Sequence, residues 1–102
     1  MGNRVVVTGL GCMSPLGNDV SSSWEACTNG QSGIDRITHF DPELFRCQIA
    51  GEIKIFQLPE IIPIKEAKKM DLFIQYSIGA TQEALLDANL EITEDIEEEV
   101  GV

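Results

Sequence analysis

Val5-Val6-Val7 narrows the possible folds more than any other stretch of the chain. Three successive β-branched residues favour a strand. The run does not alternate apolar with polar, so it reads as an interior strand covered on both faces, as in a sheet sandwiched between helices. Thr8 and Gly9 end it. Gly11, Pro15 and Gly17 follow and break regular structure, so the strand runs into a tight, glycine-rich loop that carries Ser14.

Such a loop invites a dinucleotide-binding reading, and the residues argue against it. Gly9-x-Gly11 supplies two glycines, but the third position of the fingerprint is Ser14, and Pro15 stands where the phosphate-binding helix should be running. No second strand ends in an acid about twenty residues on. The Gly-Lys-Ser/Thr of a P-loop is also missing. No cofactor-binding residue is assigned, and no cofactor is expected.

The 102 residues suffice for one small domain, which would bury about 60–65% of its unfolded surface. Seven basic against seventeen acidic residues give a net charge of −10, which argues against nucleic acid as a partner. No apolar run is long enough to span a membrane, and the N-terminus has no signal-peptide shape. Cys12, Cys27 and Cys47 are an odd number without a C-x-x-C pair, which predicts free thiols, a reducing and cytoplasmic setting, and buried apolar roles. With His39 as the one histidine, a metal site or Cys/His dyad would have few parts, and none is assigned.

Along the chain, Asn18 or Asp19 caps a helix ended by Gly30, and Val20, Trp24 and Cys27 form its apolar stripe, with Trp24 as a core anchor. Residues 31–34 read as a turn leading to Ile37 and Phe40. Residues 46–54 partly alternate and read as an exposed or edge strand. Pro59 and Pro63 then break the chain. Residues 64–88 form the longest helical signal, divided at Asp71 into a short basic turn and a main helix to about Ala88. That main helix is apolar around most of its circumference, which predicts burial, and Gly79 within it implies close packing. Six acids over 91–99 read as a solvated connector, a short helix capped by Thr93. Val100-Gly101-Val102 resembles the onset of another strand. One interior strand and one buried helix do not close a two-layer core, so the sequence reads as part of a larger domain, truncated at its C-terminal end.

The least bland charge feature is Lys65, Lys68 and Lys69, three of seven basic residues, at i, i+3, i+4 on one helical face. A basic patch on a strongly acidic chain suits docking of an acidic partner. The plainer alternative is a solvated helix start with Glu66 as intrahelical partner.

Taken together, the segments resemble the N-terminus of the β-ketoacyl-acyl carrier protein synthases, most of all their type II elongating members. The resemblance rests on Val5 to Gly11, Ser14 to Asn18, Trp24, Gly30 to Ile34, Phe40-Asp41, Ala50-Gly51, Lys65-Glu66, Lys69-Met70-Asp71, Phe73 to Tyr76, Ala84 and Leu90, in order. It implies an α/β fold of the thiolase-like kind, five layers α-β-α-β-α of which this chain is an N-terminal part. It implies a homodimer and a decarboxylative Claisen condensation in fatty acid biosynthesis, run by one cysteine and two histidines. None of these catalytic residues matches a position in this chain, so none is assigned. What carries over is the basic face, whose positions in the family help hold the acidic helix of acyl carrier protein. Lys68 stands where arginine is usual, which removes a bidentate contact and keeps the charge. Two other readings compete: a non-catalytic scaffold that binds carrier protein, and a polyketide-type or other sister condensing enzyme.

Overall fold

A computed structural model describes residues 2–102. Helix α1 (Val20–Thr28) starts where the sequence predicts. Asp19 lies in extended backbone, and its carboxylate accepts the Ser22 hydroxyl at 2.6 Å and the Ser22 N–H at 2.7 Å. The Ser22 hydroxyl, then the Ser22 N–H, hold the Asp19 carboxyl below its ordinary range. The C-terminus closes as a Schellman motif. Gly30, at φ +70°, donates to Cys27 O at 3.1 Å, and Gln31 N–H donates to Ala26 O at 2.9 Å.

The buried face of α1 is not the expected stripe. Ser23 and Ala26 are buried, while Trp24 is 67% exposed and Cys27 is exposed. Polar contacts set this orientation. Ser23 Oγ donates to Gly17 O at 3.0 Å and lies 2.8 Å from Ser14 Oγ, so the glycine-rich loop holds α1 by its hydroxyl face. Of the apolar stripe, Trp24 and Cys27 are turned outward and Val20 is half-buried. The expected burial of the cysteines fails likewise: all three are free thiols, with Cys12 half-buried and Cys27 and Cys47 exposed.

Strand β1 (Ile34–Arg36) pairs antiparallel with β2 (Ile49–Gly51), Ile34 opposite Gly51. The turn expected at 31–34 therefore runs straight into a strand, and the strand expected over 46–54 is trimmed to its middle. Both shifts reflect pairing, which no local pattern encodes. Pro15 sits against this hairpin. A Cβ at Gly33 would stand 2.8 Å from the Pro15 Cβ, and one at Gly51 3.0 Å from its Cγ.

Helix α2 (Ile64–Ala67) and helix α3 (Leu72–Asp87) are separated at Asp71, as the sequence predicts. Helix α3 also ends in a Schellman motif. Asn89, at φ +52°, donates to Leu86 O at 3.1 Å, and Leu90 donates to Leu85 O at 3.0 Å. Gly79 has its packing reason: a Cβ there would stand 2.9 Å from the Met13 side chain. The acidic connector ends in one 3-10 turn, Glu97–Glu99, to which Thr93 contributes its carbonyl rather than a side-chain cap.

Segment 9–13 is the seam of the structure. A Cβ at Gly9 would collide with Ala84 O and Ala88, and one at Gly11 with Ala80 O. Two residues of extended chain span about 6.6 Å and one α-helical i→i+4 step about 6 Å, so the glycines keep step with Ala80, Ala84 and Ala88. Helix carboxylates take up the seam's free N–H groups. Leu10 donates to Asp87 Oδ2 at 3.0 Å and Cys12 to Glu83 Oε1 at 2.9 Å.

Just before the seam, Val5, Val6 and Val7 are 92%, 63% and 80% exposed, and they belong to no strand. The covered strand expected there is not formed, because no described residue pairs with it. Residues 100–102 are likewise exposed and unpaired. Nor is α3 buried on all sides, since the seam covers one face and no α3 residue is fully buried. The consequence is an open shape. The radius of gyration is 17.1 Å, against about 13 Å for a compact chain of this length.

Candidate functional site

The basic face is built on a helix too short to stand alone, since one turn is unstable without tertiary support. Two side chains supply that support. Ile62, 5% exposed, is a buried peg just before the helix, its N–H donating to Pro59 O at 3.0 Å. From α3, the Gln75 Nε2 donates to Met70 O at 3.2 Å and to Ala67 O at 3.1 Å, the latter also accepting the Met70 N–H, so one side chain ties the end of α2 and the turn after it to α3. Pro63, with φ fixed near −62°, starts the turn.

Lys65 lies in α2, Lys68 is its last residue in helical backbone, and Lys69 follows in a tightened turn. Lys68 N–H reaches Ile64 O at 3.4 Å, whereas Lys69 N–H bonds Glu66 O at 3.0 Å. All three side chains are exposed. Among the described residues none forms an ion pair, with Glu66 or otherwise. The site therefore presents three cations on a turn that the fold holds in place. Gln75 and Ile62 were not singled out by sequence reasoning as supports for the site. The signal for Gln75 is weak, since it is one of several polar residues in α3.

The glycine-rich loop is a second polar centre. Ser14 N–H and Gly17 N–H exchange bonds with each other's carbonyls at 2.9 and 3.1 Å. Glu83 ties loop and helix together, since its Oε1 accepts both Cys12 N–H at 2.9 Å and Val20 N–H at 3.0 Å. Asn18 donates its amide to Lys54 O at 2.9 Å and Ile55 O at 3.1 Å, bracing Ile55 at φ +51°, where a β-branched residue is strained. Every one of these contacts joins chain to chain.

Cys12 Sγ meets the Ser23 hydroxyl at 3.6 Å. His39 lies on the hairpin instead, its Nε2 3.7 Å from Glu52 Oε2. The Glu52 carboxyl is held below its ordinary range, first by the Thr38 N–H at 2.9 Å and with help from the Thr38 hydroxyl, the His39 N–H and the charge of His39. No cysteine–histidine hydrogen bond exists among the described residues, nor does any cluster of three or more metal-binding side chains. No described helix is long and apolar enough to cross a membrane.

Comparison with known proteins gives a consistent picture. A 3-oxoacyl-[acyl-carrier-protein] synthase 2 of Vibrio harveyi is 54% identical over 99 residues, covering 97% of this chain and 24% of the relative. The protein of the same name in Staphylococcus aureus (strain COL) is 48% identical over the same share. The chain thus spans about a quarter of the length of these relatives. Among solved structures, the ishigamide ketosynthase/chain length factor matches with a TM-score of 0.72 and 33% identity, over 88% of this chain and 22% of that one. The α/β, thiolase-like fold class expected from the resemblance is the class of that neighbour. The family profile "Beta-ketoacyl synthase, N-terminal domain" matches residues 2–102, and the chain belongs to that family.

Proposed function

We propose that this chain is the N-terminal part of a 3-oxoacyl-acyl carrier protein synthase, and that the Lys65, Lys68, Lys69 face docks its acyl carrier protein. The observation that carries the reading is 54% identity to such a synthase across 97% of the chain. In the proposed reaction a cysteine outside these 102 residues takes an acyl group from its carrier thioester. Loss of carbon dioxide from malonyl-carrier protein leaves a carbanion. That carbanion attacks the acyl thioester, expels the cysteine thiolate and yields a 3-oxoacyl-carrier product. The remaining layers of the domain, and a second copy in a homodimer, would cover Val5 to Val7 and the open faces of α3.

Supporting the docking role are three exposed cations on a braced turn, within a chain of net charge −10. Exposed ion pairs are individually worth only about 0–1 kcal/mol, so the cluster acts mainly on association. Reversing all three lysines to Glu in the full-length enzyme should weaken carrier binding and raise the KM for carrier-bound substrate. Turnover of a small acyl-thioester surrogate should change little. Wild-type affinity should fall with salt, as the Debye length shrinks from about 10 Å at 0.1 M to about 3 Å at 1 M. Unchanged carrier kinetics, or equal damage to both substrates, would return the lysines to a solvated helix face.

The second reading is a non-catalytic scaffold that only binds carrier protein. Acylation of a cysteine in the full-length protein by acyl-carrier protein, read by mass spectrometry, separates the two. Its absence supports the second.

A further inference from the structure

The basic turn also displays an apolar side chain that its own fold does not use. Ile62 is inserted as the peg, but Ile64, the first residue of α2, is 72% exposed. An exposed isoleucine alone is ordinary. The position of this one is not, because Ile64 and Lys68 are four residues apart on one turn, joined by the Lys68 N–H to Ile64 O bond, and so share a face. Charge alone does not distinguish one polyanion from another, whereas an apolar spot fixed among cations does.

Resting on the docking role proposed above, we infer that Ile64 is a specificity-determining contact: this face takes an acidic amphipathic helix of the carrier protein, with an apolar side chain seated on Ile64 within a turn of the acids that meet the lysines. The charge complementarity of the three lysines commits the surface to an acidic partner. The braced turn presents the isoleucine without ordering cost on binding, because Ile62 and Gln75 already hold the backbone.

The test measures carrier-protein binding to the full-length enzyme at low and high salt. Ile64→Ser should weaken the Kd about three- to tenfold, by the same factor at both salts, because apolar contact is not screened. Ile64→Leu should retain wild-type binding. Displacement of carrier by dextran sulfate, a polyanion without an apolar ridge, should need less dextran sulfate for Ile64→Ser than for wild type, because only carrier binding is weakened. The lysine reversal differs in kind: its loss should be greatest at low salt. An unchanged Kd for Ile64→Ser, whether or not the melting temperature falls, would overturn the inference. A fall with unchanged Kd would mean that other parts of the protein cover Ile64. In either case the docking role stands if the lysine reversal still weakens binding. If the lysine reversal has no effect, the docking role itself fails.

Discussion

Two halves of one N-terminal segment meet opposite fates. Residues 9–13 lie against α3, with glycines fitted to its backbone and N–H groups bonded to Asp87 and Glu83. Residues 5–7, a few ångströms upstream, have the stronger strand propensity and no cover at all. The difference lies in where α3 stops. The helix ends at Asp87, which already grips Leu10, so nothing remains to cover the valines. Order here follows the supply of partners, not local preference.

The largest way to break that contrast is to destroy the seam. Gly11→Val in the full-length protein places a branched side chain where the Ala80 carbonyl stands. A loss of about 3 kcal/mol or more is expected in denaturant unfolding, the upper range for overpacking. Val6→Ala, by contrast, should matter only if other parts of the protein cover it. A Gly11→Val variant as stable as wild type would mean that the seam is not close-packed.

Glu83→Ala comes next. It removes the acceptor for both Cys12 N–H and Val20 N–H, part-buried donors, and should destabilise by about 1–3 kcal/mol. Glu83→Gln keeps one side-chain acceptor and should recover part of the loss. Equal stabilities for Ala and wild type would show that water replaces the carboxylate freely.

The smallest effect belongs to the Asp19 cap. Its carboxyl is held below the ordinary value, so its contribution is complete above the unfolded pKa, about 4, and fades as pH falls through the lower folded value. Fraying of α1, followed by Ser22 amide exchange, should therefore begin only in acid. Asp19→Asn should remove that acid dependence while keeping a cap. The same fraying curve in Asp19→Asn would assign it to another group.

Much of the fold was legible where the signal is local. Asp19 and Gly30 bound α1, Asp71 divides the two later helices, and Gly79 marks a close approach. The basic triad is placed together as its spacing predicts, and its docking role remains a proposal. What escaped depends on distant residues. The face α1 buries is chosen by Ser14 and Gly17 rather than by its apolar stripe, so Trp24 points outward. Glu83 gives no local signal of its role, because its partner Cys12 stands 71 positions away. Gln75, which braces the basic turn, gives only the weak signal of one polar side chain among several in α3.

The central claim of the proposed synthase reading is that Val5 to Val7, exposed and unpaired in these 102 residues, pair as a strand in the full-length protein. Hydrogen exchange on the full-length protein tests it most directly. The account predicts that the amides of Val5, Val6 and Val7 exchange as slowly as those inside α3, because the missing ladder is then present. Exchange of those three amides at the rate of an unprotected chain, with Leu10 and Cys12 protected, would contradict it.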